Sequence, residues 1–210
     1  MKRITLLLVF SLLAACATPQ IAINPRADFS TVKRVAVLPF GGMKGELAAD
    51  MLTQSLLAHG ADVVERQRLS SVMQEQSLSS SSAFDPATAK QLGKLLGVDA
   101  LFVGTVAEST PASTYLVSSS NESLVTNIAN ISGGNVYTEG SVLGLPNTQL
   151  LSTTANVSLV SRMVDVETGS ILWSASMTYE GFDISSAMAA ITDSFIRSLD
   201  PIWPSLSRAQ

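Results

Sequence analysis

Few residues in this chain could do covalent chemistry, and each is quickly named. Cys16 is the only cysteine among 210 residues and follows Leu13-Ala14-Ala15 directly. A lone thiol is a nucleophile available for modification, and with no second cysteine it builds neither an intrachain disulfide nor a thiolate metal set. His59 is the only histidine, so a Ser-His-Asp triad would have to use it, and no strand-turn-helix nucleophile elbow surrounds any serine. His59 instead ends a predicted helix, where an imidazole is expected to interact with the free terminal carbonyls. Gly41-Gly42-Met43-Lys44-Gly45 follows a predicted strand but fits neither nucleotide-binding fingerprint, so a plain turn is expected. The residues therefore predict no catalytic set, no metal site, no cofactor and no small-molecule substrate.

What surrounds Cys16 gives its thiol a use. Lys2 and Arg3 precede an apolar run from Ile4 to Leu13, and small residues follow. This is the three-part pattern of a secretory signal over residues 1–15. The run is too short to cross a bilayer, which takes roughly 20 residues. The cysteine placed after Leu-Ala-Ala resembles the bacterial lipobox. That resemblance implies a diacylglycerol on the Cys16 sulfur, cleavage before Cys16 and acylation of the new amine. Several acyl chains together anchor stably where one would not. A plain secretory signal with a cysteine near its cleavage site is the competing reading, and it leaves the position of the only cysteine unexplained. Ala17 follows instead of aspartate, which in lipoproteins of two-membrane bacteria implies the outer membrane, with the chain facing the periplasm.

Cleavage would remove 2 of the 13 basic residues and none of the 17 acidic ones. The acidic remainder has no basic patch to neutralise phosphates, which argues against nucleic-acid binding. Its length suits one domain with a sizeable core.

The elements follow from periodicity. Residues 16–31, with Pro19 and Pro25, read as a lipid anchor and short tether, and a single domain is expected over 32–200. Val32 to Phe40 is apolar on both faces and reads as a central strand. Glu46 to Ala58 is a helix with Leu47, Ala48, Met51, Leu52, Ser55 and Leu56 on one side, stopped at Gly60. Asp62 to Glu65 is a strand, followed by a helix to about Gln76 and a serine run over Ser77 to Ser82. Asp85-Pro86 opens another helix, with Leu92, Leu95 and Leu96 as its buried side. Asp99 to Glu108 is a strand with Leu101, Val103 and Thr105 on one side and Ala100, Phe102 and Val106 on the other.

From Leu95 to Ser161 there is no lysine or arginine, and residues 109–150 read as an insertion rich in Ser, Asn, Thr and Gly. Ser132-Gly133-Gly134-Asn135 looks like a turn between arms at Leu124–Ile131 and Val136–Leu145. The insertion has two readings, a subunit contact or a membrane hairpin. Alternation along the arms is poor for a barrel strand, and Glu139 lies in the middle of one. Thr153 to Val166 and Ser170 to Glu180 form the clearest hairpin, turning at Glu167-Thr168-Gly169. Ile171, Trp173, Ala175, Met177 and Tyr179 predict its core face, and Leu172 with the alternate Ser and Thr its wet face. Ile184, Met188, Ile191, Phe195 and Leu199 are the stripe of a last helix. Residues 201–210 are a tail in which Trp203 is free to pack on the domain, meet a neighbour or sit at a lipid interface.

The predicted fold class is α/β (α+β), a mixed sheet packed with helices in the order β-α-β-α-α-β, insertion, β-β-α. Val35–Phe40, Val63–Leu69, Gly97–Gly104 and Val164–Trp173 together resemble the curli secretion channel lipoprotein (CsgG) family. Its relatives include LpoB, PelC and the N-terminal domain of TolB. The resemblance implies a non-enzymatic, oligomeric lipoprotein of envelope assembly or secretion, held to the outer membrane through Cys16 and forming a homo-oligomer or envelope complex. The alternative it implies is a lipoprotein activator of a peptidoglycan synthase. Two features of the curli channel do not carry over. Only Gly41 to Glu46 separate the first strand from its helix, and Glu180-Gly181-Phe182 leaves no room for a second membrane hairpin. No pore residue is assigned.

Overall fold

Hydrophobic burial on both faces of one sheet sets the architecture. The computed structural model describes residues 18–64, 86–118, 136–141 and 148–206. A six-stranded sheet runs in the order β1 (Gln20–Ile23), β9 (Ile171–Gly181), β8 (Ala155–Asp165), β4 (Ala100–Thr110), β2 (Arg34–Val37), β3 (Asp62–Val63). β2 is parallel to β3 and β4, whereas β4–β8, β8–β9 and β1–β9 are antiparallel. Helices α1 (Gly45–Ala58) and α3 (Ile184–Leu199) cover one face, and α2 (Pro86–Leu96) the other. The split expected for β4 holds. Ala100, Phe102 and Val106 join the α1/α3 core, and Leu101 and Val103 join the α2 core.

Three of the expected helices are accounted for. α1 buries Ala48, Ala49, Leu52 and Leu56. α3 buries Met188, Ile191, Phe195 and Leu199 of its predicted stripe together with Ala187, Thr192 and Ile196, while Ile184 is half-buried against the same core. Asp183 caps α3 reciprocally with Ser186, its carboxylate accepting from the Ser186 N–H at 2.7 Å while the Asp183 N–H donates to Ser186 Oγ at 3.2 Å. α2 ends in a Schellman turn, the Val98 N–H donating to the Gly93 carbonyl at 3.0 Å past Gly97, which has φ +66°. Leu95 is a correction, for it is 44% exposed while Leu92 and Leu96 are buried. Gly93 is the reason. Its Cα side rests on Val166 so closely that a Cβ there would overlap the valine. α2 therefore turns its Leu92-Gly93-Leu96 side to the sheet and rotates Leu95 away. The helix expected from Glu65 to Gln76, the serine run and Asp85 lie outside the described residues.

The β8–β9 hairpin turns where expected. Gly169 has φ +71°, and Asp165 Oδ1 accepts from the Thr168 N–H (2.7 Å) and Oγ1 (2.6 Å). Leu172 is a second correction. Met163 pairs with Trp173 but Val164 pairs with Ile171, so Leu172 is the extra residue of a bulge. It is buried while Ile171 is exposed.

Both ends of the domain are more ordered than a tether and a tail. Within residues 16–31, Gln20–Ile23 form β1 against β9, and Phe29–Thr31 form a 3-10 turn with Phe29 buried. The alternation of Ile21 and Ile23 with polar and small neighbours was the available signal. At the other end Trp203 is buried, and its Nε1–H donates to the Val32 carbonyl at 3.0 Å. Ser205 Oγ donates to the same oxygen at 2.7 Å, and Leu206 is buried. Of its three open options, Trp203 takes packing on the domain.

The insertion contributes a second sheet, ordered β5 (Thr114–Ser118), β7 (Thr148–Thr153), β6 (Val136–Ser141), with antiparallel pairs. The expected arm beginning at Val136 is thus a strand, but it pairs with β7, which runs past the expected end of the insertion at Leu150 and takes Thr153 from the expected start of the hairpin, so that β8 begins at Ala155. The arm Leu124–Ile131 and the Ser132–Asn135 turn lie outside the described residues. Thr153 joins the strand ends, its N–H donating to the Ser113 carbonyl (2.8 Å) and its Oγ1 accepting from the Ser113 N–H (3.0 Å).

Candidate functional site

Each candidate for chemistry has a structural duty where it is described. The His59 ring Nδ1 lies 2.8 Å from the Ser55 carbonyl at the end of α1, the terminal contact expected of it. In the Gly41–Gly45 turn, the Gly41 N–H donates to the Gly104 carbonyl (2.9 Å) and the Gly45 N–H to the Gly42 carbonyl (3.2 Å). The Val106 N–H donates to the Gly41 carbonyl at 2.8 Å. The turn is stitched to β4 and leaves these amides nothing to offer a phosphate.

The carboxylates of Asp28, Asp99 and Asp183 are committed to backbone in the same way. Asp99 Oδ2 accepts from the Lys33 and Arg34 N–H groups at 2.7 and 3.0 Å, tying β2 to β4. The Ser30 hydroxyl and then the Ser30 N–H hold the Asp28 carboxyl below its ordinary pKa. The Ser186 N–H, then its hydroxyl, do the same for Asp183. Arg34 pairs with Asp62 at 2.8 Å and Arg197 with Asp193 at 2.7 Å. No three metal-ligating side chains cluster among the described residues.

Cys16, the one residue assigned a modification, lies outside the described residues, two positions before Thr18. The antiparallel register Gln20↔Ser176 carries the segment along β9 toward its C-terminal end. Thr18 and Pro19 there line a groove of about 850 Å³ with Met177, Tyr179, Ala190 and Arg197. Cys16 is two residues away, at most about 7 Å of extended chain.

The same end of the domain holds a second groove, of about 620 Å³, between the two sheets and α3, lined by Thr114, Ser152, Tyr179, Glu180, Phe182 and Ala190. Phe182, which sits between β9 and the Asp183 cap, is 93% exposed, the most exposed of the large hydrophobic side chains described. Sequence reading passed over it because it falls in a connection, outside any periodic stripe. An aromatic residue stranded between Gly181 and a helix cap was the signal available. Among the described residues, no helix is long and apolar enough to cross a membrane.

Comparison with known proteins shows the family of this chain. No curated protein matches the chain. Among solved structures, a PelC dodecamer from Paraburkholderia phytofirmans aligns at 17% identity over 92% of this chain and 100% of its own, with a TM-score of 0.48. Lipoprotein GNA1162 from Neisseria meningitidis aligns at 15% identity over 80% and 98%, TM-score 0.45. The C-terminal domain of LpoB from Salmonella enterica aligns at 16% over 72% and 85%, TM-score 0.42. The profile of the family described as curli production assembly/transport component CsgG matches residues 14–200, nearly the whole chain. On the strength of that match, the protein belongs to the CsgG family.

Proposed function

We propose that this chain is a non-enzymatic outer-membrane lipoprotein, anchored through acylated Cys16 and working from the periplasmic side as a subunit of an oligomeric envelope assembly or secretion apparatus. The observation that carries the reading is the family match over residues 14–200, a family of assembly and transport components. The Leu13-Ala14-Ala15-Cys16 sequence supports the anchor. The commitment of His59, Asp28, Asp99 and Asp183 to backbone contacts supports a role in contact instead of catalysis. For assembly, Ile21 and Ile23 are exposed side by side on β1, whose outer edge pairs with no described strand. An apolar sheet edge is a surface that a neighbouring subunit would cover.

Envelope fractionation tests the reading. The native chain is expected in the outer-membrane fraction, and Cys16→Ala is expected to move it to a soluble or inner-membrane-retained precursor pool. A native chain already soluble in the periplasm would overturn it.

A further inference from the structure

We propose that β1 is a releasable clasp in the lipid tether. Docked on β9, it shortens the free chain between Cys16 and the domain, and released, it lets the domain stand further from the membrane. This rests on the Cys16 anchor proposed above and adds to it two reaches, switched by one strand.

The segment between Cys16 and the core is held in two different ways. Gln20–Ile23 pair with β9 alone, and all four side chains are exposed. A strand of four residues with one neighbour and little apolar burial belongs to the least stable part of a fold. The pairing closes at Asn24, whose N–H donates to the Leu172 carbonyl at 2.9 Å and whose side-chain amide donates to the Ile171 carbonyl at 3.1 Å. Pro25 has no amide to carry the ladder further. Beyond it the hold is of another kind. Asp28 caps a turn whose Phe29 is buried in the main core, and Trp203 and Ser205 both donate to the Val32 carbonyl. Peeling that starts at Gln20 therefore stops at Phe29.

The two states differ in length. With β1 docked, Gln20 is four residues from Cys16, at most about 14 Å of extended chain. With β1 released, the first fixed residue is Phe29, 13 residues from Cys16 and at most about 45 Å away. Release thus extends the reach about threefold. It leaves the core intact, because β1 contributes no residue to it. A neighbouring subunit laid on the free edge of β1 would hold the strand down. Release therefore belongs to the unassembled chain, and assembly draws the domain in.

The test uses the lipidated full-length chain in phosphatidylcholine vesicles, diluted so that each vesicle holds a single chain. A dye on Leu57→Cys, an exposed position at the end of α1, and a headgroup-labelled lipid report the height of the domain by time-resolved energy transfer. With β1 unaltered, the decay is expected to resolve a short-reach and a long-reach population. Ala22→Cys with Ser174→Cys, at paired positions of β1 and β9, closes a disulfide before the dye is added and should abolish the long-reach population. Asn24 bonds to β9, and alternation makes Ala22 the next residue to do so. Ala22→Pro removes that donor at an exposed position and should abolish the short-reach population. An unaltered β1 whose decay matches that of the disulfide-locked form would overturn the clasp, as would an A22P decay that matches the unaltered one. An A22P chain that loses the native melting transition would make β1 part of the core and overturn it too. Flotation separates the premises. Vesicles that fail to carry the native chain overturn the anchor reading and this one with it, whereas a chain that floats and shows a single reach overturns the clasp alone.

Discussion

Trp203 ties the C-terminal segment to the residues before β2 through one hydrogen bond and a cluster of tilted and edge-on rings. Its Nε1–H donates to the Val32 carbonyl, its ring centroid lies 6.2 Å from that of Phe102, and Phe102 in turn meets Trp173 at 6.2 Å. Removing so large a buried ring leaves a cavity as well as losing transfer energy. Trp203→Ala is expected to cost about 3–5 kcal/mol, read as a lower urea midpoint, with Trp203→Phe in between; an unchanged midpoint would mean the C-terminal segment is not part of the cooperative core. Asp183 makes a pH-dependent contribution whose sign follows from its lowered pKa. Stability from that carboxylate is present above its unfolded-state pKa and is lost as pH falls through its lower native value. Asp183→Ala should therefore lower the melting temperature at neutral pH, and the gap from the native chain should narrow in acid. A gap that widens below about pH 4 would contradict this. At this scale His59 was legible, because its type and its place at a helix end allow few roles. Phe182 was not, since exposure of a single aromatic in a connection leaves no periodic trace.

Helix α2 shows why an element can be read correctly and its contact face misjudged. Its limits were written in Pro86 and Gly97, but its docking face was set by the absence of a side chain at Gly93. Helix propensity alone favours alanine over glycine by about 1 kcal/mol. Overpacking against Val166 costs about 1–3 kcal/mol, so Gly93→Ala is expected to destabilise, and adding Val166→Ala should restore much of the loss. Stabilisation by G93A in thermal melts would show that α2 sits further from the sheet. The β8–β9 hairpin was legible from strict alternation, until a single bulge exchanged Leu172 for Ile171. β1 escaped because its one signal, the alternation of Ile21 and Ile23, spans only four residues, and its side chains are all exposed. Its amides are accordingly expected to exchange with deuterium faster than those of β4 and β8. Equal protection would make it an integral strand.

The whole molecule buries both faces of one sheet and adds a second, smaller sheet from the insertion. Both faces of the six-stranded sheet are packed where β2 and β4 run, which is why the apolar runs of the first half foretold the fold so directly. Of the second sheet only the arm at Val136 was legible, because β5 and β7 carry adjacent apolar pairs, Leu116-Val117 and Leu150-Leu151, in place of an alternation. The central claim is that this CsgG-family chain acts by assembly at the membrane. The most direct measurement is the protein mass of the native lipoprotein extracted in gentle detergent, by light scattering corrected for bound detergent. A uniform particle of several chains is the predicted result, each lighter than the 22.1 kDa of all 210 residues by the 15 residues removed before Cys16. A single chain at every working concentration would contradict it.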